Sequence, residues 1–334
     1  MRVTTNTFPD TLLGHLQRTT KDMNKLNEQV STGQRISKVS EDSASANRIL
    51  DMQEEKGRIT QFSKNAARAQ NINNTTISQL QNFMQISDRV SELAILADGL
   101  KGPDGMKAYA EEVDELIEHA MQSANAKFNG EYIFGGMDTG SQPFEMVMED
   151  ADGNRYARDA GTGDIVKTDS SGNVVAAPAE GHSFPSNGKI VSVSYEGAAS
   201  GPEFHLSETG KIRPYTDGTT NQQFADFINK MVELRDALET GEVTAVTPEM
   251  RDSLESSEDE LIFALSRQGS VQMRIEFDLT LNQQRYTDLE ENISSEADVD
   301  IAQTVVRLTQ VQNAYQASLK SAGQVLNQSL LDYL

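Results

Sequence analysis

Apolar residues recur at every third or fourth position over long stretches at both ends of the chain, with polar residues between them. This period places the apolar side chains on one face of an α-helix. The longest stretch, from Ile59 to Ala97, keeps a spacing of about 3.5 residues, which is the repeat of helices that pack along a partner helix. No proline interrupts residues 10–102 or 249–334, so long helices are possible there. The pattern predicts helices over residues 12–30, 45–98, 113–124, 224–238, 254–293 and 301–330.

The middle of the chain, residues 141–215, has a different pattern. It holds five of the eight prolines and is rich in glycine, which favours turns over long helices. Residues 144–148 and 191–195 alternate apolar and polar side chains, which predicts two strands, with Val191 among the inward-facing residues of the second. Turn-forming sequences stand at 152–154 and 171–173.

The apolar stripes at the two ends have matching lengths, which favours pairing of the first helix with the last and of the second with the second-to-last. The predicted fold is mainly α, with long paired N- and C-terminal helices forming a coiled-coil-like rod and a small β-rich domain inserted at its tip. Several independent coiled coils along a rod are the alternative. The predicted domains are residues 1–44 with 299–334 (terminal helices and connecting loop), 45–140 with 216–298 (long-helix rod with a β-hairpin) and 141–215 (β-rich insert).

The composition excludes several classes of protein. A net charge of −22 repels phosphate groups, so we expect neither nucleic-acid binding nor attachment to an anionic membrane. The absence of cysteine excludes disulfides and thiolate chemistry. Apolar runs are far shorter than the roughly 20 residues of a membrane helix, and no apolar segment of a cleavable signal peptide follows Arg2.

The charge is unevenly distributed along the chain. Residues 1–70 carry 11 basic and 8 acidic side chains, a net charge of +3, whereas residues 217–300 carry 6 basic and 20 acidic side chains, a net charge of −14. This asymmetry favours contact between the two ends of one chain, and equally favours contact between neighbouring subunits.

Residues suited to catalysis or metal binding are scattered. The four histidines, at 15, 119, 182 and 205, have no metal-ligand spacing, and the acidic runs at 111–118 and 255–260 are typical of solvated helix faces. Residues 150–154 resemble a calcium loop only superficially, because the glycine comes two positions early, so a hairpin turn is the better interpretation. We therefore expect no enzyme activity and no catalytic, metal-binding or cofactor-binding residue.

Short motifs in both flanks resemble those of bacterial flagellins and their junction relatives. The S-T-G-x-R-I run at residues 31–36 is followed by Glu41-Asp42-Ser43, at the place where the family often has D-D-P. Residues 88–94 are similar to the R-V-R-E-L-A segment of the family's long helix. Residues 302–334 resemble the family's terminal helix. The matching motif residues are Ser31, Thr32, Gly33, Arg35, Ile36, Asp42, Arg89 and Glu92.

A further segment resembles the N-G-x-Y-I-F-x-G…T…P-F stretch of the junction members of this superfamily. Its matching residues are Asn129, Gly130, Tyr132, Ile133, Phe134, Gly136, Pro143 and Phe144. The resemblance implies a structural adaptor at the hook–filament junction, which allows flagellin to assemble into the filament. A minor flagellin of the filament shaft is one alternative, and a ligand-binding β module on an oligomeric helical stalk is another.

The resemblance also implies how the terminal helices act. In this family they form a coiled-coil inner tube after export through the flagellar type III apparatus, so the apolar stripes become buried against neighbouring subunits. The implied partners are copies of the chain, hook-associated protein 1, flagellin, the export apparatus and an export chaperone, and the implied location is the extracellular flagellum, reached without a cleavable signal peptide. The expected assembly interface comprises Leu12, Leu16, Met23, Leu26, Val30, Ile301, Val305, Leu308, Val311, Tyr315, Ala322 and Val325.

Overall fold

A computed structural model describes residues 7–97, 102–159, 164–169, 174–176, 184–185, 188–242 and 246–331, with side chains from residue 11 to residue 324. The chain divides into two compact units, Met1–Gln61 with Asn282–Leu334 (the terminal unit) and Phe62–Leu281 (the central unit). The three predicted domains, with boundaries near 44, 140, 215 and 298, stay a prediction.

The predicted helices are confirmed, and most extend a few residues beyond the apolar stripes. Gly102 and Pro103 start the third helix, because proline fits a first helical turn, and the side chain of Asp217 caps the fourth by accepting a hydrogen bond from Thr220 N. Pro248 begins the fifth helix. The helices are α1 (Thr7–Thr32), α2 (Ser43–Ala97), α3 (Pro103–Ala124), α4 (Gly218–Glu239), α5 (Pro248–Ala297) and α6 (Ile301–Leu331).

The middle of the chain forms antiparallel β-structure, as predicted. Its five-stranded sheet has the order β6-β5-β4-β3-β7, and two hairpins, β1-β2 and β8-β9, stand apart from it. The strands are β1 (Lys127–Phe128), β2 (Glu131–Tyr132), β3 (Phe144–Glu149), β4 (Arg155–Arg158), β5 (Ile165–Thr168), β6 (Val174–Ala176), β7 (Lys189–Tyr195), β8 (Phe204–His205) and β9 (Lys211–Ile212).

One strand prediction is wrong in detail. A β-bulge in β7 leaves Val191 unpaired, because Val147 of β3 pairs with Ser192 whereas Met148 pairs with Ile190. An extra residue in one strand reverses the in-and-out alternation beyond it. Ile190, opposite Met148, is therefore the buried residue at that end of β7, and Val191 is only half-buried. The turn at 152–154 joins β3 to β4 with Gly153 at φ +80°, whereas the predicted turn at 171–173 lies outside the described residues.

The predicted pairing of the helices is confirmed. In the terminal unit, α1 packs along α6, and Arg48 and Lys56 of α2 form ion pairs with Glu296 and Glu290 of α5, which shows that α2 and α5 run antiparallel there. In the central unit, Asn73 of α2 donates to the backbone oxygen of Gln268 in α5.

The core of the central unit joins helices to the sheet. α3 and α4 pack on each other and on β7. Phe83 of α2 stacks on Phe224 of α4 with ring centroids 5.3 Å apart. The stripe predicted on α2 is buried, including Thr76, whose hydroxyl donates to the backbone oxygen of Ile72. The mainly α fold with a small antiparallel β domain in the middle of the chain is therefore confirmed.

Candidate functional site

The pair of terminal helices contains the residues predicted to form an assembly interface. On α1 the predicted residues are half-buried against α6, and their neighbour Leu13 on the other face is exposed. These half-buried residues are Leu12, Leu16, Met23, Leu26 and Val30.

Helix α6 buries its apolar residues less completely. Leu308, Val311 and Tyr315 are half-buried and Ala322 is buried, but Ile301 is 53% and Val305 is 42% exposed. The side chain of Val325 lies outside the described residues. Two further large apolar residues of α6, Val306 and Leu319, are also exposed. The terminal pair therefore presents apolar area beyond the stripe that α1 covers.

The S-T-G-x-R-I motif forms the exit from α1. Thr32 ends the helix, and Gly33 follows with φ +72°, a conformation that glycine adopts without steric cost. The chain then pairs with the connection between α5 and α6, because Val299 N donates to the backbone oxygen of Gly33 and Arg35 N donates to that of Ala297, the last residue of α5. The motif thus joins the end of α1 to the segment between α5 and α6.

The side chain of Arg35 lies at the centre of an ion-pair cluster, which we call the loop node: Arg35, Asp42, Arg48 and Glu296. Arg35 donates to the backbone oxygen of Glu296 at 2.8 Å and lies 3.7 Å from the carboxylate of Asp42. Arg48 donates to both carboxylate oxygens of Glu296, at 3.2 and 3.1 Å. The connection between α1 and α2, the start of α2 and the end of α5 meet here.

Hydrogen bonds lower the pKa values of three carboxylates in or beside the loop node. The hydrogen bonds from Arg48 lower the pKa of Glu296, and a hydrogen bond from the backbone N–H of Ser45 lowers the pKa of Asp42. A hydrogen bond from the backbone N–H of Ser37 likewise lowers the pKa of Glu41. All three carboxylates therefore favour the charged form in the folded chain.

Sequence reasoning identified Arg35 and Asp42 but missed Arg48 and Glu296. Glu296 stands in an acidic stretch, and no local pattern distinguishes it from its neighbours. Its partner Arg35 is 261 residues away in the chain. Only the pairing of α2 with α5 brings these residues together. The remaining motif residues of this segment, Ser31 and Ile36, are exposed and half-buried, respectively.

Arg89 and Glu92 form a second, separate ion-pair group. Arg89 donates to Glu92 at 2.6 Å within α2 and to Glu112 of α3, also at 2.6 Å. These bonds raise the pKa of the Arg89 guanidinium, with the bond to Glu112 as the largest cause. Glu112 belongs to the acidic run that sequence analysis assigned to solvent, so this carboxylate instead links α3 to α2.

The junction-type segment begins with a tight hairpin. Asn129 and Gly130 connect β1 to β2 with φ values of +53° and +87°. Two consecutive residues with positive φ make the turn that suits the twist of paired strands, and Asn-Gly is its usual sequence. Tyr132 of β2 then donates its backbone N–H to Thr139 at 2.9 Å, which closes the segment on itself.

The rest of the segment is buried in the central unit. Ile133, Phe134 and Phe144 are at most 1% exposed. The ring of Phe134 packs edge-to-face with the rings of Phe144 and Phe224, with centroid separations of 6.4 and 5.7 Å, respectively. Pro143 accepts a backbone hydrogen bond from Glu196. These motif residues therefore organise the core and offer little surface to a partner.

Gly136 shows why this segment needs glycine. Its φ is +67°, and a Cβ atom there would lie 2.5 Å from the backbone oxygen of Ala198. The neighbouring Gly135 accepts a hydrogen bond from Ala198 N at 3.0 Å. Two stretches of backbone thus approach too closely for a side chain.

A polar hub that sequence reasoning missed supports the same segment. Asn221 donates to the backbone oxygen of Phe134 at 2.9 Å and to the hydroxyl of Tyr195 at 3.0 Å. The Tyr195 hydroxyl lies 2.8 Å from the oxygen of Ala198, and burial raises its pKa. The alternation of β7 marked Tyr195 as an inward residue, but no sequence signal paired it with Asn221.

Other candidate chemistry is sparse in the part of the chain that the structure describes. There, no group of three acidic or histidine side chains is arranged to hold a metal ion. Residues 150–154 form a hairpin turn, in which Asp150 accepts hydrogen bonds from the backbone of Asp152 and Asn154. None of the described helices combines the length and apolar character of a membrane span.

The chain is similar to known proteins over part of its length. Residues 3–139 match the model of the bacterial flagellin N-terminal helical region. Flagellar hook-associated protein 3 of Salmonella typhimurium LT2 is 22% identical over 151 residues, which cover 44% of this chain and 47% of that protein. The alignment thus spans about half the length of that relative.

Solved structures share the fold. FlgL of Bacillus cereus superposes with a TM-score of 0.53 at 18% identity, covering 73% of this chain and 99% of that chain. A structure assigned to the flagellar hook-associated proteins of Vibrio parahaemolyticus gives a TM-score of 0.58 at 10% identity, covering 77% and 100%. At these identities the likeness shows the fold.

Proposed function

We propose that this chain, whose residues 3–139 match the model of the bacterial flagellin N-terminal helical region, belongs to the flagellin superfamily and is a structural subunit of the flagellum that acts as an adaptor at the hook–filament junction. The sequence relative named hook-associated protein 3 and the shared fold of FlgL support this role. Its location would be the extracellular flagellum, reached through the flagellar export apparatus without a cleavable signal peptide.

The uncovered apolar residues of the terminal pair are the observation that carries this proposal. Ile301, Val305 and Val306 of α6 are exposed although α6 packs on α1. Two helices with little apolar burial are marginally stable in water. The same side chains would be buried if terminal pairs of several subunits packed side by side, at about 25 cal/mol for each Å² removed from water. Assembly would therefore stabilise the terminal unit.

The proposed partners follow from this position. Copies of the chain would form a layer, with hook-associated protein 1 on the hook side and flagellin on the filament side. The export apparatus, with an export chaperone, would deliver the subunits. The predicted interface of Leu12 to Val30 on α1 and Ile301 to Val325 on α6 is the part of the chain that we propose is buried in that layer.

A deletion strain tests the proposal. We expect cells that lack this chain to build intact hooks and to release flagellin into the medium, because flagellin would have no surface on which to polymerise. Electron microscopy of the cell surface shows the hooks, and immunoblots of the culture medium measure the released flagellin. Expression of the wild-type chain should restore filaments. Short or normal filaments on the deletion strain would contradict a junction role.

A minor flagellin of the filament shaft is the second candidate, which the match to the flagellin N-terminal region favours. Purified chain should then elongate into long filaments when seeded with filament fragments. A junction subunit should bind to fragment ends without elongating them.

A further inference from the structure

Strand β7 lies at one edge of the five-stranded sheet, because it stands at the end of the described strand order and pairs with β3. A strand at such an edge presents backbone N–H and C=O groups that pair readily with a strand of another molecule. Helix α4 packs against β7. The backbone groups of β7 that point away from β3 are therefore the ones that side chains of α4 can bind.

Asn229 of α4 binds both backbone groups of one β7 residue. Its side-chain oxygen accepts a hydrogen bond from Val193 N at 2.8 Å, and its side-chain nitrogen donates to the backbone oxygen of Val193, also at 2.8 Å. A neighbouring antiparallel strand would bind the two groups in the same way. The carboxamide has the donor and the acceptor of a peptide group. Asn229 therefore takes the place of a strand residue at this edge.

Arg235, six residues further along α4, binds a second position of the same edge. Its guanidinium donates to the backbone oxygen of Ile190 at 2.8 Å and to the carboxylate of Asp114 in α3 at 2.7 Å. Six residues of helix rise about 9 Å and three residues of strand extend about 10 Å, so α4 can follow the strand from Val193 to Ile190. Arg235 is 2% exposed. We call Asn229 and Arg235 the edge cap.

The sequence of β7 shows why its edge needs a cover. Residues 190–195, I-V-S-V-S-Y, contain no charged residue and no proline, and most of them are β-branched or aromatic. Segments of about six residues with these properties pair strongly with other strands when they are exposed. Edge strands in natural proteins are protected by charges, by proline or by a covering element. Because residues 190–195 have neither charge nor proline, the protection of this stretch falls to α4.

We propose that the edge cap closes β7 to pairing with β7 of a second copy. Two open β7 edges would present the same backbone groups to each other, so they could pair antiparallel about a two-fold axis. With Asn229 and Arg235 in place, the groups at Val193 and Ile190 are already bound within the chain. The edge cap therefore prevents an association through the sheet.

This inference goes beyond the proposed function and does not rest on it. The edge cap belongs to the central unit, whereas the proposed assembly interface belongs to the terminal unit. The edge cap is tested on the purified full-length chain, and the junction role is tested in cells. Either can therefore fail while the other stands.

Asn229→Ala opens the edge by removing both hydrogen bonds to Val193. At low concentration, we expect the Val193 amide to exchange its hydrogen on the order of tenfold faster than in the wild type, since losing one hydrogen bond shifts a local opening equilibrium by about that factor. At high concentration, we expect this amide to be protected again, because two open edges pair. Sedimentation velocity should then show more dimer than the wild type forms at the same concentration.

Two further variants separate an open edge from a loss of stability. Met231→Ala alters a fully buried residue of the same helix and leaves the edge cap intact, so it should lower the urea midpoint without adding dimer. Asn229→Asp keeps the shape of the side chain and the acceptor for Val193 N, and it removes only the donor. This variant should fold like the wild type, and it should form dimer to a smaller extent than Asn229→Ala.

A charge on the strand should close the edge again. Ser192 is exposed on β7, and Ser192→Lys would bring the lysines of two copies close together in any pair of β7 edges. We expect the chain with both Asn229→Ala and Ser192→Lys to sediment like the wild type. Its Val193 amide should exchange rapidly at every concentration, because the edge stays open and unpaired.

Three results would overturn the proposal. The first is an Asn229→Ala chain, or an Asn229→Asp chain if the alanine variant does not fold, that sediments like the wild type at every concentration, which would limit Asn229 to internal stability. The second is equal dimer formation by Met231→Ala. The third is dimer formation by Asn229→Ala that Ser192→Lys leaves unchanged. The last two would show that the copies associate through unfolded segments and not through the edge of β7.

Discussion

Replacing Phe134 by alanine tests whether the junction-type segment is a core element or a contact surface. Phe134 has no exposed surface, and its ring packs edge-on against Phe144 and Phe224. Removing a buried phenylalanine costs about 3–5 kcal/mol, because apolar burial is lost and a cavity remains. Loss of two aromatic pairs at about 0.5–1.5 kcal/mol each places the expected change in the upper half of that range.

The free energy of unfolding can be measured by urea denaturation, followed by far-UV circular dichroism and by hydrogen exchange of amides in the central unit. Met137→Ala is the matched control, because Met137 lies in the same segment but is 64% exposed. It should change the free energy of unfolding by less than about 0.5 kcal/mol. A cost below about 1 kcal/mol for Phe134→Ala would refute the core assignment and favour a contact role for the motif.

Three further predictions concern the glycine turns, the loop node and the terminal pair. Gly136→Ala should destabilise the central unit more than Gly153→Ala, because a Cβ atom would meet backbone atoms at residue 136 and open space at residue 153. Gly153→Ala should cost only about 1–2 kcal/mol for its positive φ. The midpoints of urea unfolding compare the stabilities of the two variants. Glu296→Gln should lower the melting temperature of the terminal unit more at pH 7 than at pH 3. The folded-state pKa of Glu296 is depressed, so its contribution is present above the unfolded-state pKa and is lost as pH falls through the folded value; equal loss at both pH values would contradict this. Leu308→Asp should weaken the terminal pair by about 1–3 kcal/mol and abolish filament growth in complemented deletion cells. Gln316→Asp, at an exposed position of α6, should leave filament growth unchanged. Ordinary filaments with Leu308→Asp would disprove assembly through the terminal pair.

The helices could be predicted from the sequence because the signals for each helix lie within its own segment of the chain. The period of apolar residues marks the buried face, and Gly102 with Pro103 marks a boundary. Matching stripe lengths were enough to pair the ends, since two helices that each bury one face need partners of similar length. The bulge in β7 could not be predicted, because an extra residue changes the register without changing the composition of either strand.

The loop node and the polar hub could not be predicted for a different reason. Each depends on a pair of polar residues far apart in sequence, such as Arg35 with Glu296 or Tyr195 with Asn221. Polar residues have no period that reveals a partner, and an acidic stretch contains many equivalent candidates. The sequence predicted a connecting loop within residues 1–44, but the residues that hold this loop had to be read from the fold.

The motifs that resemble those of flagellins and the surfaces proposed for assembly are different sets of residues, and physical constraints explain the separation. Phe134, Gly136 and Phe144 are fixed in type by tight packing, where even one added methyl group meets backbone. Such residues give a recognisable motif, yet being buried they cannot contact a partner. The apolar stripes of α1 and α6 need only apolar area at a helical spacing, which many sequences satisfy, so no short motif marks them. A motif can therefore indicate which fold is built, while the partners of that fold must be sought on its exposed apolar faces.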